Sequence, residues 1–180
     1  MSRLSIPTRE AAPAAAQPLL DAVAAQLGTV PNLFRLIGKS PEALEGFLGL
    51  HGALGRTLDL KTRNAIALAV AEANACDYCL SAHTFLARNG AKLDEQEIAR
   101  NRHGRSGQAK VDAAVAFAAK VARNRGRVAD SDFAAVRLAG WSEAQVVEIL
   151  AHVALNVFTN YLNNAVQTDI DFPIVRAEAA

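Results

Sequence analysis

Cys76 and Cys79 are the two cysteines of this chain, and they stand three residues apart in Glu72-Ala73-Asn74-Ala75-Cys76-Asp77-Tyr78-Cys79-Leu80-Ser81-Ala82-His83. On an unbroken helix, at about 100° per residue, Glu72, Cys76, Cys79 and His83 would share one face within about 60°. Spacings of three and four residues bring side chains into contact, coupling Glu72 to Cys76, Cys76 to Cys79 and Cys79 to His83 as a proton-relay line. Only a thiolate attacks a peroxide or a disulfide, and an ordinary cysteine is mostly protonated at neutral pH, so a base or a helix N-terminus is needed to activate one. His83 suits the role of base. A second thiol three residues away can condense with a sulfenic acid and close a small disulfide, which makes Cys79 the preferred attacker. Zinc is the rival chemistry, since two thiolates, an imidazole and Glu72 make four ligands. Spread over eleven residues of a straight helix they would rise ~16 Å, too far to converge on one ion.

The elements that must position these groups are helical. Asp59 caps a helix from Leu60 to about Ala73 that is almost wholly apolar after Asn64. Asn74 is where it would end, because asparagine tolerates the left-handed conformation. If it ends there, both thiols fall in the first turn of a new helix, whose partial positive charge stabilises a thiolate. If it continues, Glu72 faces the thiols. The cysteine helix runs on through Phe85 and Leu86 to Asn89-Gly90.

Elsewhere, Pro18 opens a helix closed by Gly28, Pro31 opens a short one, and Ser40-Pro41 starts another that ends near Gly52 or Gly55. Asp94-Glu95-Gln96-Glu97 and Ser142-Glu143-Ala144-Gln145 read as capping boxes. Lys110 to Arg125, a helix from Asp130 or Ser131 to Gly140, and a long apolar helix from Val146 to about Val166 complete an all-α bundle. The helices around 60 to 73 and 146 to 166 are more apolar than one small bundle requires, which implies burial between subunits.

The 180 residues suit one domain from 17 to 180, preceded by a loosely held arm, 1 to 16, containing Pro7 and Pro13. A hydrophobic share of 51% with 21% charged residues is that of a globular chain, and a net charge of +1 offers no field for nucleic acid. The Arg100 to Arg105 cluster reads as a solvated loop between helices. No apolar run of about 20 residues is present to span a membrane, and the N-terminus lacks the apolar run of a secretory signal, so a cytoplasmic location is expected. In a reducing compartment Cys-x-x-Cys points to redox cycling or metal.

Cys-x-x-Cys-x-x-x-His after an alanine-rich segment resembles the AhpD-like alkylhydroperoxidases of the carboxymuconolactone decarboxylase family. Val30-Pro31-Asn32-Leu33-Phe34, Ala65 to Asn74, Phe158-Thr159-Asn160-Tyr161 and Asp171-Phe172-Pro173 resemble its peroxidase-related branch. The resemblance implies an AhpD-like helical bundle assembled as a dimer, trimer or hexamer. It implies an antioxidant peroxidase in which Cys79 forms the sulfenic acid, Cys76 resolves it and His83 relays a proton, with no cofactor. Its substrates would be hydrogen peroxide or, in this apolar setting, an organic hydroperoxide, and its partner an external dithiol reductant. The family's relay glutamate falls at Asn64 here, so Glu72, the nearest carboxylate of suitable spacing, is the expected acid/base partner. A histidine often follows the asparagine-tyrosine segment in the branch, where this chain has Asn163-Asn164.

Other polar groups read as structural. His152 is expected to be a satisfied core histidine, His51 and His103 to lie at a helix end or in a loop, Tyr78 to pack, and Trp141 to staple a helix start. Asn160, Tyr161, Asn163 and Asn164 either bridge subunits or border the site. Competing functions are a thiol-disulfide oxidoreductase acting on a partner protein, a lactone decarboxylase, and an inactive oligomeric scaffold.

Overall fold

The computed structural model describes residues 2–178, and among them there are nine helices and no strand. They are α1 (Gln17–Leu27), α2 (Asn32–Ile37), α3 (Pro41–Leu54), α4 (Leu60–Ala73), α5 (Asp77–Asn89), α6 (Glu95–Arg102), α7 (Ala109–Arg123), α8 (Asp130–Leu138) and α9 (Glu143–Val166). None is long and apolar enough to cross a membrane.

Local chemistry accounts for most helix starts. Asp59 Oδ1 accepts from the Lys61 and Thr62 amides at 3.0 Å, and Ser40 Oγ accepts from Ala43 N with Pro41 in the first turn. Ser142 and Gln145 form the reciprocal box at the head of α9, at 3.2 and 3.0 Å. The box expected at Asp94 is only half made. Asp94 accepts from Glu97 N, while the Glu97 carboxylate turns to Ser106 Oγ and Gly107 N.

α4 is the central strut, packed against α5, α6, α7 and α9. Ile66, Leu68, Ala69, Val70 and Ala71 are fully covered within the single chain. Its apolar character, expected to require a neighbouring subunit, is thus explained inside one chain. α9 differs: Val147, Phe158 and Tyr161 remain 65%, 45% and 56% exposed on its outer side.

The interior falls into three apolar clusters: one between α4, α7, α8 and α9 around Ile66, Val115 and Ile149, and one between α1, α2, α3 and α9 around Leu20, Leu44 and Leu155. The third surrounds Cys76, Cys79 and Leu80 and is closed by Ile170, Phe172 and Val175 of the C-terminal segment.

Two expectations are corrected. The arm is tied down: Ala12 and Ala16 are buried, Arg9 pairs with Asp21, and Arg3 N donates to Val166 O at 2.7 Å. The arginine cluster is not all solvated loop, because Arg100 and Arg102 lie in α6 and Arg102 is largely covered beside Glu72.

Candidate functional site

The line from Glu72 to His83 is interrupted, so the four groups do not share one helix face. α4 ends at Asn74, which is not left-handed (φ −100°); Ala75 takes that conformation instead, at φ +47°. Cys76 N then reaches back to Ala71 O at 2.9 Å and closes the turn. A side chain with a Cβ in this region costs about 1 kcal/mol or more. Asn74, next to the strained residue, is clamped to α9: its Nδ2 donates to Asn160 Oδ1 at 2.9 Å and its carbonyl accepts from Asn164 Nδ2 at 2.8 Å.

Cys76 is the N-cap of α5, its Sγ accepting from Cys79 N at 3.4 Å. Cys79 therefore sits in the first turn, where the helix end favours an anion. Asn163 Nδ2 of α9 donates to Cys79 Sγ at 3.3 Å. The Cys76 thiol beside it, and then the Asn163 and Asn160 amides, favour the charged sulfur, and they hold the Cys79 pKa below its ordinary value although burial opposes them. Cys76 moves the other way. It hydrogen-bonds the Cys79 sulfur, and with burial and that neighbouring charge its own thiol is pushed well up. The surroundings favour charge on Cys79 over Cys76. Both cysteines are free, and both sulfurs are shut off, the residues being 0% and 2% exposed.

His83 lies one turn further along α5. Its Nδ1 is covered and has no hydrogen-bond partner. Burial, helped by the charge of His51, brings its pKa down to about 4, so the ring is neutral near neutral pH. Glu72 is turned away: Oε2 accepts from Arg102 Nε at 2.7 Å and Oε1 from Glu178 N at 2.7 Å. The expectation that Glu72 partners His83 is corrected on this ground. Asn64 donates its side-chain amide to Leu60 O within its own helix.

Of the amide-rich group, Asn163 touches the Cys79 sulfur, Asn160 and Asn164 hold Asn74 ahead of the thiols, and Tyr161 faces outward. Thr159 shares their face, but its proton is committed to Asn156 O at 2.9 Å. Tyr78 does more than pack: its hydroxyl donates to Asp171 Oδ1 at 2.8 Å and accepts from Leu33 N at 3.1 Å, tying the C-terminal segment over α5. His152 is a core histidine, its Nε2 3.2 Å from Thr57 Oγ1. A cleft of about 550 Å3 opens beside the pair, lined by Ala75, Asp77, Tyr78, Asn163, Thr168 and Ile174 among others. Among the described residues no group of three or more histidine, cysteine or acidic side chains is placed to hold a metal.

The carboxymuconolactone decarboxylase family model matches residues 41–124, which span α3 to α7 and include both cysteines and His83. A protein of Haemophilus influenzae Rd is 46% identical over 57 residues, which are 30% of this chain and 50% of that protein. The matched segment thus spans about half of that relative's length. An alkylhydroperoxidase AhpD core structure, a peroxidase-related protein from Ralstonia eutropha JMP134, superposes with a TM-score of 0.83 at 26% identity, covering 94% of this chain and 92% of that one. A peroxidase-related protein from Silicibacter sp. TM1040 shares the fold, with a TM-score of 0.81 at 24% identity over 93% and 91% of the two chains. In its matched segment, its fold and the spacing of its thiols, the chain is similar to the carboxymuconolactone decarboxylase family and to its AhpD-like members.

Proposed function

We propose that this chain is a cysteine-dependent peroxidase acting in antioxidant defence. The observation that carries the reading is the asymmetry of the pair, with Asn163 on the Cys79 sulfur and a protonated Cys76 held beside it. The Cys79 thiolate attacks the distal oxygen of hydrogen peroxide or an organic hydroperoxide. The O–O bond breaks, Cys79 becomes a sulfenic acid, and the alkoxide leaves after taking a proton. Asn160 Nδ2, a buried donor short of a full hydrogen bond, is available to the new oxygen. The Cys76 thiol then attacks the sulfenic sulfur, expelling water and closing a disulfide. An external dithiol restores both thiols.

His83, neutral and with an unpartnered nitrogen, passes protons to and from the site. No organic cofactor or metal enters this scheme. Because both sulfurs are covered, peroxide reaches them through a local opening of the site. A reducing, cytoplasmic setting suits the dithiol. The exposed apolar side of α9, with Val147, Phe158 and Tyr161, suits a second copy of the chain in a dimer, trimer or hexamer.

Peroxide consumption by the wild type and by Cys79→Ser tests the proposal, in the presence of dithiothreitol. Loss of turnover in the variant is expected. Full activity in Cys79→Ser would overturn it.

A further inference from the structure

Reduction of the pair needs a place for the reductant, and the cleft beside α5 has the features of one. Its volume, about 550 Å3, falls in the range of small-molecule and peptide sites. Two of its lining residues, Asn163 and Thr168, are 2% and 6% exposed, and Asn163 Oδ1 and Thr168 Oγ1 have no hydrogen-bond partner. Buried polar atoms are nearly always paired, and leaving one unpaired costs about 1 to 3 kcal/mol. A ligand that supplies a donor to the amide oxygen and pairs with the hydroxyl removes that cost. Ile170 and Ile174 give the same cleft an apolar wall, and the Asp77–Arg176 ion pair, at 2.6 Å, stands on its lining.

The cleft borders both sulfurs, and the stability of the leaving thiolate decides which one is attacked. Ala75 and Asp77, the two neighbours of Cys76 in the chain, line the cleft, as do Tyr78 beside Cys79 and Asn163 on its sulfur. The first turn of α5 and the Asn163 amide at 3.3 Å stabilise Cys79 as the departing thiolate and so steer attack to Cys76. We propose that the cleft docks the reductant, an extended peptide segment carrying two cysteines, and that its thiolate attacks Cys76 Sγ of the oxidised pair. A peptide offers N–H and C=O groups at every residue, which answers an uncommitted acceptor and a hydroxyl on one lining, and its side chains use the isoleucine wall. This rests on the proposed Cys76–Cys79 disulfide.

The step balances as thiol–disulfide exchange. The partner thiolate forms a bond to Cys76 Sγ, the Cys76–Cys79 bond breaks, and Cys79 leaves as the thiolate, the better leaving group of the two because its charged form is stabilised. The partner's second thiolate then attacks the partner sulfur of the mixed disulfide. Cys76 departs and takes a proton. The partner dithiol is oxidised by two electrons to a disulfide, and the pair is reduced by two.

The test uses the full chain oxidised with diamide, so that it does not depend on peroxide. Its reductants are a reduced dicysteine hexapeptide and dithiothreitol, which has no amide groups. Thr168→Val and Ile174→Arg are each expected to raise the KM for the peptide about fivefold or more, as the loss of one good contact does, with dithiothreitol rates within about twofold of wild type. Unchanged peptide KM in both variants, or equal losses with both reductants, would overturn the docking site. A single-cysteine version of the peptide, quenched with acid and mapped by mass spectrometry, is expected on Cys76. A mixed disulfide on Cys79 would overturn the direction of attack. Failure of the peroxidase reading would show separately, as a pair that forms a disulfide with diamide but not with peroxide.

Discussion

Asn163 Nδ2 of α9 lies 3.3 Å from Cys79 Sγ of α5, so the sulfur is held by an amide 84 residues away in the chain. A hydrogen bond to a charged group is worth about 1.5 to 3 kcal/mol, and about 1.4 kcal/mol is one pKa unit. Asn163→Ala is therefore expected to raise the Cys79 pKa and so to lower its thiolate fraction. The pH profile of iodoacetamide alkylation reads this directly, and peroxide turnover at neutral pH should fall with the thiolate fraction. An unchanged alkylation profile would remove Asn163 from the site.

Cys76→Ser separates the two sulfurs. Serine is a good N-cap, so α5 should keep its start and the fold its stability. With no resolving thiol, one equivalent of peroxide should leave Cys79 as a sulfenic acid that dimedone traps, and further peroxide should carry it to the sulfinic acid. Mass spectrometry of the variant checks both products. Failure of dimedone to label Cys79 would count against Cys79 as the attacking sulfur.

The fold was largely legible in the sequence because its helix starts are chemical: Ser40-Pro41, Asp59 and the Ser142/Gln145 box cap the helices expected of them. The candidate site was legible only within α5. Cys76, Cys79 and His83 are local, and their spacing survives because they lie on or at the cap of one helix. The carboxylate was misassigned because its place depended on the helix running on past Asn74, whereas α4 ends there and the chain turns through Ala75, an alanine whose left-handed conformation leaves no mark in the sequence. The amide cradle was visible as a pattern, since Asn156, Asn160 and Asn163 recur at helical spacing in an apolar helix. Whether that face meets α5 or another subunit depends on how α9 is rotated about its axis. Periodicity gives the face but not its partner.

Glu72 makes a structural prediction instead of a catalytic one. Its carboxylate bridges Arg102 of α6 and the Glu178 amide, in a pair whose side chains are 10% and 18% exposed. Glu72→Gln should lower the unfolding free energy by about 1 to 3 kcal/mol, the scale of hydrogen bonds to a charged group. Urea denaturation measures it. Peroxide kcat and the Cys79 alkylation profile should stay at wild-type values, and a selective loss of kcat with unchanged stability would restore Glu72 to the proton relay.

Acid should weaken the fold through its buried histidines. Thr57 Oγ1 gives its proton to Leu54 O at 2.7 Å, so it accepts from His152 Nε2, and the hydrogen-bond pattern assigns a neutral ring protonated at that nitrogen. Burial brings the His152 pKa to about 4, from an ordinary value of 6.5. Between those two pH values the unfolded chain binds a proton that the folded chain does not, so stability rises with pH across the window and is lost as pH falls through it. For a histidine as covered as His152, the loss from pH 7 to 4 is on the order of 3 kcal/mol, and His83 shifts in the same direction to about 4. Urea midpoints measured from pH 7 to pH 4 should therefore decline, and His152→Leu, which leaves the Thr57 hydroxyl bonded to Leu54 O, should flatten the decline. A slope unchanged in the variant would show that His152 takes up its proton in the folded state as readily as in the unfolded chain.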